Sequence, residues 1–332
     1  MAKKKKIKDT DYLFLSARIR SLERNLLSKP RTERMLQAET PAECAQVLTE
    51  LGYPPFDPQS EAGLNQALSQ VRADLFADLA RFMPDPALLD VFKLKYDYHN
   101  IKALIKGQGA DVSALLVDAG RIRAAELAAK YQQTGNWDFL SEPMKSAARE
   151  SVRVLAETGD PQRSDFVLDK AYFAEMLALA KSSGCDFLVD YVRTQIDAAN
   201  LRSAVRTTRM HRAATFLQQV LFEGGTVSVE RILADISNGV AQLYRPTPLR
   251  EAAVLGDEAV AGGSLTAFEK ACDNAVLAKA GEARSVPFGP EVAIGYVAAR
   301  ENEFTAARII MAGRLAGLDG DTIRERLRDC YV

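Results

Sequence analysis

The stretch Leu88-Leu89-Asp90-Val91-Phe92-Lys93 is echoed 100 positions later by Leu188-Val189-Asp190-Tyr191-Val192-Arg193. The echo continues in register through the pairs Asp97/Asp197, Asn100/Asn200 and Lys102/Arg202. A third, weaker copy follows 106 residues further along, with Glu303 at the carboxylate position, Ala306 at the asparagine position and Arg308 at the basic position. Short-period solenoids repeat every 20 to 50 residues or so, which is much less than this spacing. The sequence therefore predicts one helical module used three times.

Size and composition are those of an ordinary globular protein. The chain has 332 residues, of which 47% are hydrophobic and 26% charged, so it can bury a substantial core. Its 43 basic side chains nearly balance 44 acidic ones. A chain with this balance lacks the positive field with which nucleic-acid binders attract phosphate, and nucleic acid is disfavoured as a partner.

Signatures of cofactor chemistry and of membrane spans are missing from the sequence. The four cysteines lie far apart, and the two histidines have no further ligand at metal-site spacing. No phosphate-binding Gly-x-x-x-x-Gly-Lys loop occurs, and no run of 18 apolar residues could form a transmembrane helix. The N-terminal lysines precede no apolar secretory core. We expect a cytoplasmic protein without cofactor, metal or membrane span, and a flexible basic tail at residues 1–9.

Helix-start signals recur along the chain, whereas strand signals are scarce. Thr40-Pro41-Ala42-Glu43 has the pattern of a capping box with proline in the first turn. Asp85-Pro86 and Asp160-Pro161 repeat the combination of cap and proline, and Ser264 follows two glycines as a further cap candidate. These signals predict an all-α protein of roughly a dozen helices or more, within the accuracy of sequence-based boundaries.

The repeated helix carries polar residues in line with an apolar stripe. Asp97, Asn100, Ile101 and Leu104 share one helix face, and their counterparts in copy two do the same. A polar group on a packing face needs a hydrogen-bond partner, or its desolvation costs about 1–3 kcal/mol. The pattern favours a structural network over partner binding, and partner binding over catalysis. The positions concerned are Asp90, Lys93, Asp97, Asn100, Lys102, Asp190, Arg193, Asp197, Asn200, Arg202, Glu303 and Arg308, and in copy two we expect Asp197 to serve Arg193 and Asn200.

Three stretches of the sequence stand out together: the segment from Tyr12 to Glu23, the segment from Leu94 to Lys102, and Pro287-Phe288-Gly289-Pro290 with the segment from Glu301 to Arg314. Taken together, they resemble the C subunit of V/A-type ATP synthases, a relative of the d subunit of the vacuolar proton pump. The resemblance covers roughly residues 11–329. Asp97, Asn100, Asp197 and Asn200 match the family's Asp-x-x-Asn pattern, and Ala306 departs from it.

This resemblance implies a funnel of three similar helical modules around a pseudo-threefold axis, without an active site. The modules would span approximately residues 10–118, 119–222 and 223–329 of one compact unit. It also implies a non-catalytic central-stalk subunit on the cytoplasmic face of the membrane. Such a subunit is a socket that joins the shaft subunits D and F to the rotor ring of proteolipid subunits and transmits torque for proton or sodium transport.

Two other readings of the sequence stay open at this stage. The first is a generic helical scaffold for protein interactions. The second is an all-α enzyme with a carboxylate site, which would require a pocket that contains carboxylates of perturbed pKa.

Overall fold

Helices make up all of the regular structure in the computed structural model, which describes residues 7–332. Within that part of the chain there is no strand, and the predicted all-α fold is confirmed. Five short 3₁₀ helices lie at Asp9–Tyr12, Glu23–Asn25, Ser113–Leu115, Ile236–Asn238 and Glu282–Ser285. The α-helices are, in chain order, α1 Leu13–Leu22, α2 Lys29–Gln37, α3 Pro41–Glu50, α4 Glu61–Phe82, α5 Ala87–Gly107, α6 Ala124–Thr134, α7 Glu142–Thr158, α8 Pro161–Ser183, α9 Asp186–Arg209, α10 Ala214–Val220, α11 Val229–Asp235, α12 Ala241–Tyr244, α13 Arg250–Val260, α14 Leu265–Gly281, α15 Pro290–Leu315 and α16 Gly320–Arg326.

The helix starts predicted at Thr40-Pro41 and Asp160-Pro161 are confirmed, the first with one change of hydrogen-bond partner, whereas α5 begins at Ala87, one residue later than the Asp85-Pro86 pattern predicts. The Thr40 side chain accepts a hydrogen bond from the Glu43 backbone N–H at 3.3 Å, which caps α3. The Glu43 carboxylate accepts the backbone N–H of Glu39 rather than that of Thr40, because it reaches one residue further back than the capping-box pattern predicts. Asp160 caps α8 and Ser264 caps α14 in the same way.

The chain divides into two compact units. One runs up to Pro86 and resumes over Tyr244–Val332, and the other is the continuous segment Ala87–Leu243. The division into modules at residues 10–118, 119–222 and 223–329, and the pseudo-threefold funnel, stay predictions. Of the flexible tail predicted at residues 1–9, residues 1–6 lie outside the described part of the chain.

The continuous unit is built around α5, α8 and α9. Helix α5 packs against α7 and α8, and α8 also packs against α9. Two ion pairs join α5 to α8, since Lys102 Nζ lies 2.5 Å from the Asp169 carboxylate and Lys106 Nζ lies 2.6 Å from that of Asp165. Both carboxylates lie on the same face of α8, four residues apart, which matches the spacing of the two lysines on α5.

In the unit that contains both chain ends, α15 is the central helix. Every residue from Val292 to Arg300 is buried, so this part of α15 is enclosed on all sides. Helices α1, α3, α4, α14 and α16 pack around it. Gly295 permits a close approach, because a Cβ atom at that position would come within 2.6 Å of the Ala283 side chain.

No helix within residues 7–332 is both long enough and apolar enough to cross a membrane.

Candidate functional site

The polar positions of the repeat meet non-helical segments that follow the long helices α5 and α9. We call residues 117–122 the first strap and residues 222–227 the second strap. The first strap ends two residues before the start of α6, and the second ends two residues before the start of α11. Each strap is therefore the entry to the next helix of the chain.

The repeated asparagines bind the beginnings of the straps. Asn100 donates from Nδ2 to the Val117 carbonyl at 2.9 Å and accepts the Val117 N–H at 2.8 Å. Asn200 makes the same pair of bonds with Phe222, both at 2.8 Å. An amide side chain carries one acceptor and two donors, so it can satisfy both polar groups of one backbone residue. This pairing explains why the repeat has asparagine rather than aspartate at this position.

The repeated aspartates bind the ends of the straps. The Ile122 N–H donates to Asp97 Oδ1 at 3.1 Å, and the Val227 N–H donates to Asp197 Oδ1 at 3.1 Å. In both straps the donor follows the asparagine-bound residue by five positions. The second oxygen of Asp197 accepts the Thr226 N–H at 3.1 Å, and the Thr226 side chain also hydrogen-bonds this carboxylate.

A glycine in each strap lets the backbone come this close to the carboxylate. A Cβ atom built on Gly120 would lie 2.1 Å from Asp97 Oδ1, and one built on Gly225 would lie 2.3 Å from Asp197 Oδ1. Both distances are far below van der Waals contact, so any side chain there would displace the strap or the carboxylate.

The third copy binds a segment from the opposite end of the chain. Glu303 Oε2 on α15 accepts the Leu27 N–H at 2.8 Å, and Leu27 lies two residues before the start of α2. This is the position that Ile122 and Val227 occupy before their helices. Residues 22–27 are therefore the third strap, which differs from the other two in that it contains the last residue of α1 and the 3₁₀ helix Glu23–Asn25. The pair of carboxylate and strap N–H is called a clasp below.

The third clasp differs from the other two in its polar partners. Tyr53 donates its hydroxyl to Glu303 Oε1 at 2.6 Å, and Arg300 Nη1 lies 2.5 Å from the same oxygen. No amide is present at Ala306, which instead lines a cavity of about 20 Å³ together with Leu26. The glycine position of the strap is taken by Asn25, opposite a side chain that is one carbon longer than aspartate.

Burial is the main influence on the pKa values of Asp97 and Asp197. Asp97, Asn100, Asp197 and Asn200 are all 0% exposed. Burial raises the pKa of Asp97 above its ordinary value, and the hydrogen bonds from Arg121 and the Ile122 N–H oppose the rise. Burial likewise raises the pKa of Asp197, against the donors of the second strap.

A network of side chains that reaches α8 surrounds the first clasp. Arg121 of the first strap lies 2.9 Å from Asp97 and 2.9 Å from Glu175 on α8, and Tyr98 donates to the other oxygen of Glu175 at 2.9 Å. The corresponding residue of the second strap is Thr226, which carries no charge. The arrangement can hold a strap, and its carboxylate oxygens are already occupied by donors.

The structure separates the remaining repeat positions from the clasps. Lys102 is engaged with α8, as described above, whereas Asp90, Lys93 and Arg202 are half-buried, and Asp190, Arg193 and Arg308 are exposed. The prediction that Asp197 bonds to Arg193 and Asn200 is wrong. Asp197 turns to the strap N–H groups, Asn200 has its own strap residue, and the exposed Arg193 contributes only charge at a distance.

Sequence reasoning missed the straps because it followed a constant offset of 100 residues. The second strap follows the first by 105 residues rather than 100, because α10 lengthens the connection after α9. A signal was present in Val117-Asp118-Ala119-Gly120-Arg121-Ile122 and Phe222-Glu223-Gly224-Gly225-Thr226-Val227. Both hexapeptides have an acid second, glycine fourth and a β-branched residue last.

Metal-ligating side chains do not gather elsewhere in the described part of the chain. Across residues 7–332, no group of three or more His, Cys, Asp or Glu side chains is placed to hold a metal ion. The four cysteines Cys44, Cys185, Cys272 and Cys330 are free thiols.

Comparison with known proteins gives matches over nearly the whole chain. The family model described as ATP synthase (C/AC39) subunit matches residues 15–326. The C subunit of the V-type sodium ATPase of Enterococcus hirae is 25% identical over 333 residues, which cover 97% of this chain and 99% of the relative. The C subunit of the A-type ATP synthase of Methanocaldococcus jannaschii is 26% identical, with coverages of 95% and 86%. The C subunit of the V-type ATP synthase of Thermus thermophilus is 25% identical, with coverages of 96% and 98%.

Replacing Asp197 by alanine should lower the free energy of unfolding. The change leaves the Thr226 and Val227 N–H groups without their acceptor, and a buried unsatisfied donor costs about 1–3 kcal/mol. Urea unfolding followed by circular dichroism measures the loss. Arg193→Ala on the same helix is the matched control and should change stability by less than about 0.5 kcal/mol. Equal losses in the two variants would contradict the observed partners of Asp197.

Replacing Gly225 by alanine should destabilise the chain through the added Cβ atom. Overpacking of this kind costs about 1–3 kcal/mol. Gly281→Ala is the control, because its Cβ atom would meet nothing closer than 3.9 Å and alanine is the better helix former. Thermal melting of both variants checks the difference. If Gly225→Ala has the same melting temperature as the wild type, the second strap has room for a Cβ atom at this position, which would contradict the clasp geometry.

The stability contributed by Asp197 should depend on pH with a defined sign. Because its folded-state pKa is raised, the folded chain holds a proton that the unfolded chain has already released. That contribution is fully present below the unfolded pKa and is lost as pH rises through the folded pKa. The free energy of unfolding of wild type relative to Asp197→Asn, which does not titrate, should therefore fall from about pH 4 towards neutrality. Unfolding curves across that range test the sign, and a difference that rises instead would indicate a lowered pKa.

Proposed function

The chain belongs to the ATP synthase (C/AC39) subunit family, and we propose that it is the non-catalytic socket between the central shaft and the membrane rotor ring of a rotary V/A-type ATPase. In this role it receives the shaft subunits D and F on one side and the ring of proteolipid subunits on the other. It transmits torque between them and so couples ATP to proton or sodium transport.

The observation that carries this proposal is the end-to-end match to C subunits of V-type and A-type enzymes. Relatives from three organisms align with at least 95% of this chain and with at least 86% of their own length. A match of this extent leaves little of the chain for an additional catalytic domain. We therefore assign the whole chain to one role within the complex.

The clasps support a mechanical role. Each clasp fixes the entry to a helix by a hydrogen bond that a strap N–H donates to a buried carboxylate, so the strap cannot move without leaving this donor unsatisfied. Packed helices at interior density transmit strain with little deformation. A part that passes torque from a shaft to a ring needs this stiffness, and it needs no reactive group.

The contacts of the aspartates also weigh against the enzyme alternative. Asp97 and Asp197 have the raised pKa values that a catalytic carboxyl can show, but each lies fully buried with its oxygens occupied by strap donors. A structural network perturbs a pKa as effectively as an active site does. We therefore assign the repeat positions Asp97, Asn100, Asp197, Asn200 and Glu303 to strap binding.

In the cell, the proposal puts the chain at the cytoplasmic face of the membrane as a peripheral subunit. Contact with the bilayer complex would be made through the rotor ring rather than through a span of its own. The direction of the machine, synthesis or hydrolysis, follows from the other subunits.

Removing this chain from the purified complex should separate hydrolysis from transport. ATP hydrolysis by the soluble head should persist, whereas ATP-driven ion uptake into vesicles should disappear, because nothing then joins the shaft to the ring. Uptake is measured with a pH-sensitive dye for protons and with a sodium tracer for sodium. Adding back the purified wild-type chain should restore uptake.

Variants of the chain sharpen this experiment. Gly281→Ala should restore uptake as well as wild type, and Gly225→Ala should restore less of it at equal occupancy, since its second strap is displaced. Full uptake by complexes verified to lack the chain would exclude the socket role. ATP hydrolysis by the isolated chain would reopen the enzyme alternative.

A further inference from the structure

The third clasp contains a small cavity at the position where the other two copies carry an amide. Ala306 follows Glu303 by three positions, which is the spacing at which an asparagine follows the aspartate in the other copies. Ala306 lines a cavity of about 20 Å³ together with Leu26 and Leu27 of the third strap. Roughly 10–15 Å³ of such space is enough to hold one water molecule. The cavity therefore has room for one water and for no larger ligand.

Two buried polar side chains also line this cavity. They are Glu303 on α15, which is 4% exposed, and Thr32 on α2, which is 7% exposed. Cavities with purely apolar walls stay dry, whereas buried water is found where several polar groups need a hydrogen-bond partner. The lining of this cavity therefore favours a ligand that both donates and accepts hydrogen bonds.

Both polar side chains have hydrogen-bonding capacity left. Glu303 Oε2 accepts the Leu27 N–H at 2.8 Å and has no second donor among the described residues, although a carboxylate oxygen carries two lone pairs. The Thr32 hydroxyl lies 3.6 Å from Cys330 Sγ, and a thiol is only a weak hydrogen-bond partner. One molecule that accepts the hydroxyl and donates to the carboxylate would satisfy both groups.

We propose that this cavity binds one ordered water molecule, which donates to the Glu303 carboxylate and accepts a hydrogen bond from the Thr32 hydroxyl. The water takes the place of the asparagine amide of the other copies. It links α15 to α2, the helix that follows the third strap. The third clasp thus relies on an exchangeable ligand where the other two rely on a side chain. This inference goes beyond the rotor role and does not depend on it, because the chain itself supplies the whole site.

A crystal structure of the wild-type chain, at a resolution that shows ordered water, tests the proposal directly. We expect one water peak in the cavity, at about 2.7–3.2 Å from a Glu303 carboxylate oxygen and from the Thr32 hydroxyl. The peak should be missing from the structure of Ala306→Val, whose added methyl groups occupy the same space. A wild-type cavity without a water peak overturns the proposal.

Two variants of equal shape distinguish a water site from a dry cavity in solution. Ala306→Thr and Ala306→Val both fill the cavity, but only threonine brings a hydroxyl that can replace the hydrogen bonds of the displaced water. We expect Ala306→Thr to melt at least about 2 °C above Ala306→Val, because valine leaves the Thr32 hydroxyl without its partner. A dry cavity predicts the opposite order, since the apolar side chain then gains more from burial.

The matched controls are Ala312→Thr and Ala312→Val, because Ala312 is exposed on the same helix. Threonine and valine have similar helix propensities, so these two variants should melt within about 1 °C of each other. The proposal is overturned if Ala306→Val melts at or above Ala306→Thr once the control difference is subtracted. If either variant of Ala306 fails to fold, the water peak in the wild-type crystal structure decides.

Discussion

The structure depends on one constraint, which is that a buried carboxylate must have donors, and in each copy of the repeat the donor is the backbone of a strap. Burying Asp97, Asp197 or Glu303 alone would be unfavourable, because a carboxyl removed from water loses its hydration. The strap N–H groups replace that hydration and are themselves satisfied by the carboxylate. Side chain and strap therefore order each other, and the next helix begins at a fixed place, two residues beyond the last donor.

The difference between aspartate and glutamate shows how this constraint is met in two ways. At Asp97 and Asp197 the short side chain requires the strap to come so close that only Gly120 and Gly225 fit. Glu303 reaches its strap from one carbon further away and faces Asn25 instead. The third clasp has no amide at Ala306 and takes additional donors from Tyr53 and Arg300. All three copies thus keep the hydrogen bond between the carboxylate and the strap, whereas the other partners of the carboxylate differ from copy to copy.

Much of the fold could be predicted from the sequence, but the identity of the bonding partners could not. The all-α class and the starts of α3, α8 and α14 follow from local signals, since a cap and its helix lie within a few residues. The burial of Asp97 and Asn100 follows from helical periodicity. Their partners lie 17 to 25 residues away, and helical periodicity says nothing about contacts at such a separation. In addition, α10 lengthens the connection after α9, so the second strap does not follow the first at the 100-residue spacing of the repeat. The prediction of a network among side chains of the same helix therefore named Arg193 as a partner of Asp197, although Arg193 is exposed.

The third clasp joins residues 276 positions apart, whereas the other two join residues 25 and 30 apart. By loop-closure entropy alone this longer closure costs about 2 kcal/mol more. It also imposes an order on biosynthesis. The segment Ala87–Leu243 is continuous and can complete its clasps while the ribosome is still at work. Leu27 and Tyr53 must wait, with the Leu27 N–H and the Tyr53 hydroxyl still hydrated, until α15 has emerged, so a part of the chain that is made before Ala87–Leu243 reaches its final state after it.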